Sequence, residues 1–129
     1  MTKFTMACQI GSTNEERLAA FELYRQAFNA KNFSEDTPPD GDDLHIMMDI
    51  YGAEIMLCPG VKAGTGFDNV LNCEVRYDNE QDFRKAYDVL VRESKSNSLE
   101  GPYPWADLLG LVVDKYGIGW ALYFNENAE

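Results

Sequence analysis

Two carboxylates and one imidazole are the groups in this sequence with the most evident chemical potential. Glu54 lies in the apolar run AEIMLC, and Glu74 lies in VLNCEVRY. A carboxylate among apolar neighbours holds its proton to higher pH, so such a pair can serve as acid and base; ionised, it can attract a cation. The same two residues at the mouth of a groove would simply be solvated. The single histidine, His45, either joins them in an irregular site or is an ordinary hydrogen-bonded side chain. Cys8, Cys58 and Cys73 are odd in number, lack metal-ligand spacing and fall in strand-like runs, which favours reduced, buried thiols. Tyr103, Trp105, Trp120 and Tyr123 supply rings that could stack on a ligand.

Composition narrows the partners. With 129 residues, 45% of them hydrophobic, the chain can bury one real core, so a single domain over 1–129 is expected. Lys and Arg total 11 against 22 Asp and Glu, and a formal charge of -11 repels nucleic acid and anionic membrane surfaces. No apolar run has transmembrane length, and MTKFTMACQIG lacks a signal-peptide core, so a cytoplasmic location is expected.

The elements that must position these groups come in two copies. Asp49-Ile50-Tyr51-Gly52 recurs as Asp114-Lys115-Tyr116-Gly117, 65 positions later. The same ungapped offset superimposes Cys8 on Cys73, Asn14 on Asn79, Pro39 on Pro104, Leu44 on Leu109 and Leu57 on Leu122, and gives thirteen identities in all. Unrelated halves of ordinary composition would share roughly four, so one supersecondary unit is duplicated, about 1–64 and about 66–129.

In the first copy, Thr5 to Ile10 reads as a strand, and Ser12 with Glu15 has the spacing of a helix-starting capping box. Leu18, Phe21, Tyr24 and Phe28, backed by Ala20 and Ala27, form the predicted core stripe of that helix. Residues 31–43, with two prolines and many acids, read as mobile loop with an edge strand near Phe33. Leu44 to Ile50 and Ala53 to Cys58 flank a tight turn at Tyr51-Gly52. In the second copy, Val70 to Tyr77 is a strand, Asn79 caps a helix bearing Phe83, Ala86, Tyr87, Leu90 and Val91, and Leu108 to Val113 pairs with Ile118 to Phe124. Lys95 to Tyr103 reads as loop with a weak edge strand. Each copy is therefore β-α-β-β-β, an α+β architecture.

Two ungapped βαβββ units resemble the vicinal oxygen chelate superfamily, with its glyoxalase, bleomycin-resistance and dioxygenase members. Trp105-Ala106-Asp107 followed by Asp114-Lys115-Tyr116-Gly117-Ile118-Gly119-Trp120 resembles the W-G-D … D-P-F-G-x-x-W signature of its PhnB-like branch, with Ala106 for Gly and Lys115 for Pro. The resemblance implies curled mixed sheets around a cleft, helices on the convex side and a homodimer. Strand period then sorts the side chains. Ile118, Trp120, Leu122 and Phe124 are expected on the helix side, with Ile55 and Leu57 as their counterparts. Gln9, Met47, Glu54, Met56, Asn72, Glu74 and Tyr123 are expected to face the cleft and bind ligand. A two-residue turn would add His45 and Asp49, and in the second unit Gly110, Val112 and Asp114; a three-residue turn reverses the latter set. Asp49 and Asp114 are expected to bond their turn backbones.

The resemblance also implies metal-ligand positions at Ala7, Met56, Asn72 and Ala121. No three of these can hold a divalent ion, so no cofactor is expected. The implied protein is a metal-free small-molecule binder, its ligand small, partly apolar and of cationic or amine-bearing type. The alternatives are a lyase or isomerase using cleft carboxylates as acid and base, or a structural partner-binding module.

Overall fold

The computed structural model describes residues 5–34, 41–59 and 73–126. The chain divides into two compact units, Met1–Phe67 and Asp68–Glu129. Both are α+β, each a four-stranded mixed sheet, not closed, with one helix.

The first unit runs β1 (Met6–Gln9), α1 (Asn14–Phe28), β2 (Lys31–Asn32), β3 (Ile46–Ile50) and β4 (Ala53–Cys58). Its sheet order is β1-β4-β3-β2, with β1 parallel to β4 and the rest antiparallel. The second unit runs β5 (Cys73–Tyr77), α2 (Glu80–Leu90), β6 (Ser96–Glu100), β7 (Leu108–Val113) and β8 (Gly119–Phe124). It repeats the order as β5-β8-β7-β6. The edge strand β6, expected as a weak strand within a loop, is a full five-residue strand, and every residue from Ser96 to Glu100 finds a partner on β7.

Each sheet has one face buried by its helix. In the first unit Ile46, Met48, Ile50, Ile55 and Leu57 are buried, as strand period requires of a covered face. Helix α1 starts one residue later than expected: Thr13 is the cap, accepting from the Glu16 amide at 3.1 Å, while its hydroxyl reaches the Glu16 carboxylate. The core stripe is rotated as well. Leu18 is 42% exposed, whereas Arg17 is fully buried beside Ala20, Tyr24, Ala27 and Phe28. Arg17 replaces apolar burial with donors: its Nη1 bonds the carbonyls of Ile10 (3.0 Å) and Gly11 (3.1 Å), and its Nη2 bonds Asn14 Oδ1 (3.1 Å) and the Asp42 carbonyl.

In the second unit Asn79 caps α2 through Asp82, and Phe83, Ala86, Val89 and Leu90 are buried. Trp120, Leu122 and Phe124 are buried on the helix side of β8. The two hairpins differ. In the first, Ile50 is opposite Ala53, so Tyr51 and Gly52 form a two-residue turn, both at positive φ (50° and 88°). In the second, Val113 is opposite Gly119, and the Asp114 amide bonds the Ile118 carbonyl at 2.9 Å. That loop has three residues, of which only Gly117 has positive φ. The extra residue moves Gly110, Val112 and Asp114 to the helix side, against the expectation from a two-residue turn.

Gly110 then has a packing reason. A Cβ there would lie 2.8 Å from the Tyr87 ring and 3.4 Å from that of Phe83. Gly110→Ala should lower stability by about 1–3 kcal/mol through overpacking, and adding Tyr87→Ser should recover part of it. Denaturant midpoints check this; an unchanged midpoint for Gly110→Ala would mean that α2 does not seat on this glycine.

Candidate functional site

The face of each sheet away from its helix is the candidate site. Residues directly opposite one another on adjacent strands share a face, so the registers sort the side chains. In the first unit Ala7 is opposite Met56, Met56 opposite Met47, and Phe33 continues the row through its amide bond to the Met47 carbonyl (3.1 Å). A second row runs Glu54, Asp49, Lys31, and Gln9 lies opposite Cys58. Gln9, Met47, Glu54 and Met56 thus share the open face as expected, joined by Lys31 and Phe33, which the sequence reading passed over. Met47 and Met56 are half-buried, while Phe33 and Gln9 are exposed. His45 precedes β3 and is exposed, its Nδ1 donating to the Asp43 carbonyl (2.7 Å).

In the second unit the open face carries Glu74 and Arg76 on β5, Ala121 and Tyr123 on β8, Leu109, Leu111 and Val113 on β7, and Ser96, Ser98 and Glu100 on β6. Asn72 lies outside the described residues. The residue opposite Ala121 is Glu74, two places beyond the position that the 65-residue offset selects. Glu74 is exposed and pairs with Arg76 at 3.1 Å, and the Arg76 guanidinium lies 6.0 Å from the centre of the Tyr123 ring. Period two from Glu74 was the available signal for Arg76. A depression of about 330 Å³ is lined by Ser96, Asn97, Ser98, Leu111, Val112, Val113 and Trp120.

Local bonds set the charge states around these faces. Tyr103 Oη and Ser98 Oγ donate to Glu100 at 2.7 and 2.8 Å, which holds the Glu100 carboxyl below its ordinary range and pushes the Tyr103 phenol up. Cys58 is half-buried and its Sγ sits 3.6 Å from the Cys8 carbonyl; burial raises its thiol, with the Arg17 charge acting weakly the other way. Cys8, Cys58 and Cys73 form no disulfide, and Cys8 is buried while Cys58 and Cys73 are only half-buried, which corrects the expectation for the latter two. A raised pKa leaves little thiolate near neutrality, so Cys58 should react more slowly with a disulfide reagent at pH 7.5 than in the unfolded chain. Comparing the native and urea-unfolded rates in the wild type and Cys58→Ser checks this; equal Cys58 rates would contradict it.

As metal centres the two faces offer a poor donor set. Ala7 with Met56 supplies one thioether, and Glu74 with Ala121 supplies one carboxylate already paired with Arg76. Among the described residues no three His, Cys, Asp or Glu side chains come together as a ligand group. The described residues at these positions do not fit a resident divalent ion.

Comparison with known proteins places this geometry. No family model matches the sequence, and no curated protein matches it. Solved structures do. A PhnB protein from Bacillus cereus superimposes with a TM-score of 0.73 at 20% identity, covering 96% of this chain and 100% of that one. A glyoxalase/bleomycin resistance protein/dioxygenase from Alicyclobacillus acidocaldarius gives 0.61 at 12% identity, with 95% and 90% covered. The fosfomycin resistance protein FosX from Mesorhizobium loti gives 0.62 at 13%, with 95% and 90% covered. The chain has the fold of these structures, the glyoxalase/bleomycin-resistance fold. Among the described residues no helix is long and apolar enough to cross a membrane.

Proposed function

We propose that this is a PhnB-like protein acting as a metal-free small-molecule binder, with the open sheet faces as its ligand surface and a homodimer as its working form. The observation that carries this reading is the composition of those faces. Met47 and Met56 in one unit, and Leu109, Leu111, Val113 and Ala121 in the other, form apolar centres ringed by a few polar groups, the make-up of a small-molecule site. At three of the positions that the resemblance assigns to metal ligands the chain has Ala7, Met56 and Ala121, and the residue opposite Ala121 is an ion-paired glutamate. The exposed edge strands favour pairing of two copies, which would cover them. The acid–base alternative loses support at Glu74, whose charge Arg76 already compensates.

Elemental analysis, light scattering and a thermal-shift screen test the proposal together. The expected results are no stoichiometric divalent metal after growth in supplemented medium, twice the chain mass, and hits that Leu111→Arg abolishes. One Zn, Ni, Fe or Mn per chain, removed by chelator with loss of stability, would overturn the metal-free reading. A monomer at micromolar concentration would overturn the dimer, and hits indifferent to Leu111→Arg would overturn the second unit's part in the ligand surface.

A further inference from the structure

At the rim of the second unit's open face, Trp105 is 59% exposed, yet its position is tightly held. The Tyr103 ring stacks on it, with centroids 4.7 Å apart and planes 2° from parallel. Tyr103 is itself fixed at three points: its Oη donates to Glu100, its amide bonds the Ala106 carbonyl at 2.8 Å, and its carbonyl accepts the Ala106 amide at 3.2 Å. Asn125 Nδ2 donates to the Trp105 carbonyl at 2.9 Å, and the Asp107 amide bonds the Phe124 carbonyl at 2.9 Å. Fully buried Ala106 plugs this corner into the core, so its neighbour Trp105 must point outward. Leaving so large an apolar ring in water forgoes its burial energy, while the bonds around Ala106 hold it in one place. Glu100, through which the stack is fastened, lies in the cross-strand row with Leu109, Tyr123 and Arg76 on the open face. Three acids adjoin the corner, Glu100, exposed Asp107 and exposed Glu126, in a chain of formal charge -11, and the cation at the far end of the Glu100 row, Arg76, is ion-paired with Glu74.

We infer that Trp105 is a stacking platform for a planar organic cation, with Tyr103 and Glu100 holding the indole in place. The inference rests on the small-molecule reading of the open face and names its ligand class. A flat cationic ring gains from the face of the indole, electron-rich and backed by the phenol of Tyr103, and from the acidic surroundings; a planar anion loses on the second count. Tyr103 acts as a positioning residue, since it reaches the ligand only through Trp105.

Trp105 and Trp120 are the two tryptophans, and Trp120 is 2% exposed, so ligand quenching of exposed indole fluorescence reports Trp105. The probes are 1-methylquinolinium, 2-naphthalenesulfonate and tetramethylammonium, with affinities of the variants measured by calorimetry. The expected result is saturable quenching by 1-methylquinolinium, at least about tenfold tighter than by the other two. Trp105→Leu should weaken 1-methylquinolinium about tenfold or more, Trp105→Phe should keep most of the affinity, and Tyr103→Leu should weaken it with the melting temperature little changed. Equal affinity for the sulfonate, or binding unaltered in Trp105→Leu, would overturn the platform. If Leu111→Arg abolishes binding while Trp105→Leu does not, the sheet-face reading stands and the platform falls; if neither matters, both fall. If Trp105→Leu lowers the mass in solution without touching probe affinity, the indole belongs to an interface between copies and the inference is wrong.

Discussion

Arg17→Met should destabilise the protein by about 2–4 kcal/mol, more than any single apolar truncation on the exposed side of α1. The fully buried guanidinium is the common donor for the Ile10 and Gly11 carbonyls, the Asn14 amide oxygen and the Asp42 carbonyl. It ties the end of β1, the start of α1 and the approach to β3 to one side chain. Methionine fills much of its volume but donates nothing, so the buried Ile10 carbonyl loses the guanidinium and the part-buried carbonyls of Gly11 and Asp42 lose their bonds to it, while Asn14 Oδ1 keeps the Leu44 amide at 2.9 Å. Lysine keeps the charge but cannot serve four acceptors from a point-like ammonium, so Arg17→Lys should recover only part of the loss. Leu18→Ala, at a 42% exposed residue, should cost less than about 1 kcal/mol. Urea midpoints of the three variants decide the matter. If Leu18→Ala costs more than Arg17→Met, α1 presents the apolar face that its sequence suggests rather than the one described above.

The second large effect is expected at Asp114. Its Oδ1 accepts from the amides of Tyr116 (2.8 Å) and Ile118 (3.1 Å), its Oδ2 accepts from Trp120 Nε1 (2.8 Å), and the residue is fully buried. An asparagine must turn an N–H toward one of these donors in either orientation, so Asp114→Asn should cost about 2–4 kcal/mol. The equivalent aspartate, Asp49, has its Oδ1 bonded to the Gly52 amide at 3.1 Å, in an exposed setting, and an asparagine can keep that bond. Asp49→Asn should cost less than about 1 kcal/mol. Adding Trp120→Phe to Asp114→Asn removes one of the conflicting donors, so the double variant should lose less than the sum of the two single losses. Strict additivity would show that the indole and the carboxylate are not coupled.

This pair also explains how far the fold could be read from the sequence. Two βαβββ units, the Asn79 cap, the helix-side parity of Trp120, Leu122 and Phe124, and the turn-bonding role of both aspartates follow from period and repeat. The repeat motif D-x-Y-G preserves residue types, however, and not the length of the turn. Ile55 occupies the place in the first unit that Trp120 takes in the second, and an isoleucine offers no N–H to draw Asp49 inward. The indole draws in Asp114, the loop gains a residue, and β7 turns over, so that Leu109, Leu111 and Val113 reach the open face in place of Gly110 and Val112. The difference between Ile55 and Trp120 was the legible sign.

The candidate site was legible to the extent that strand parity held. Gln9, Met47, Glu54, Met56, Glu74 and Tyr123 lie on the open faces because a shift of two residues preserves parity, and the slip between β5 and β8 is such a shift. Parity alone could not say which residue stands opposite Ala121, nor that Arg76 neutralises Glu74. Arg17 was hidden for a different reason. Apolar periodicity scores its neighbour Leu18 as core, and only the carbonyls that converge at the end of β1 make burial of a guanidinium favourable.

The most direct test of the sheet-face account is a methyl NMR map with a ligand hit from the thermal-shift screen. Met47 and Met56 are opposite one another on the open face of the first unit, and Met48, opposite Ile55, is on its buried face; in the second unit Leu111 and Val113 are on the open face and Leu122, opposite Gly110, is on the buried one. The account predicts that titration shifts the methyl signals of open-face residues in at least one unit, Met47 and Met56 or Leu111, Val113 and Ala121, while Met48, Leu57 and Leu122 stay put. Shifts confined to Met48, Leu57 and Leu122, or to helix methyls such as Leu18, would contradict it.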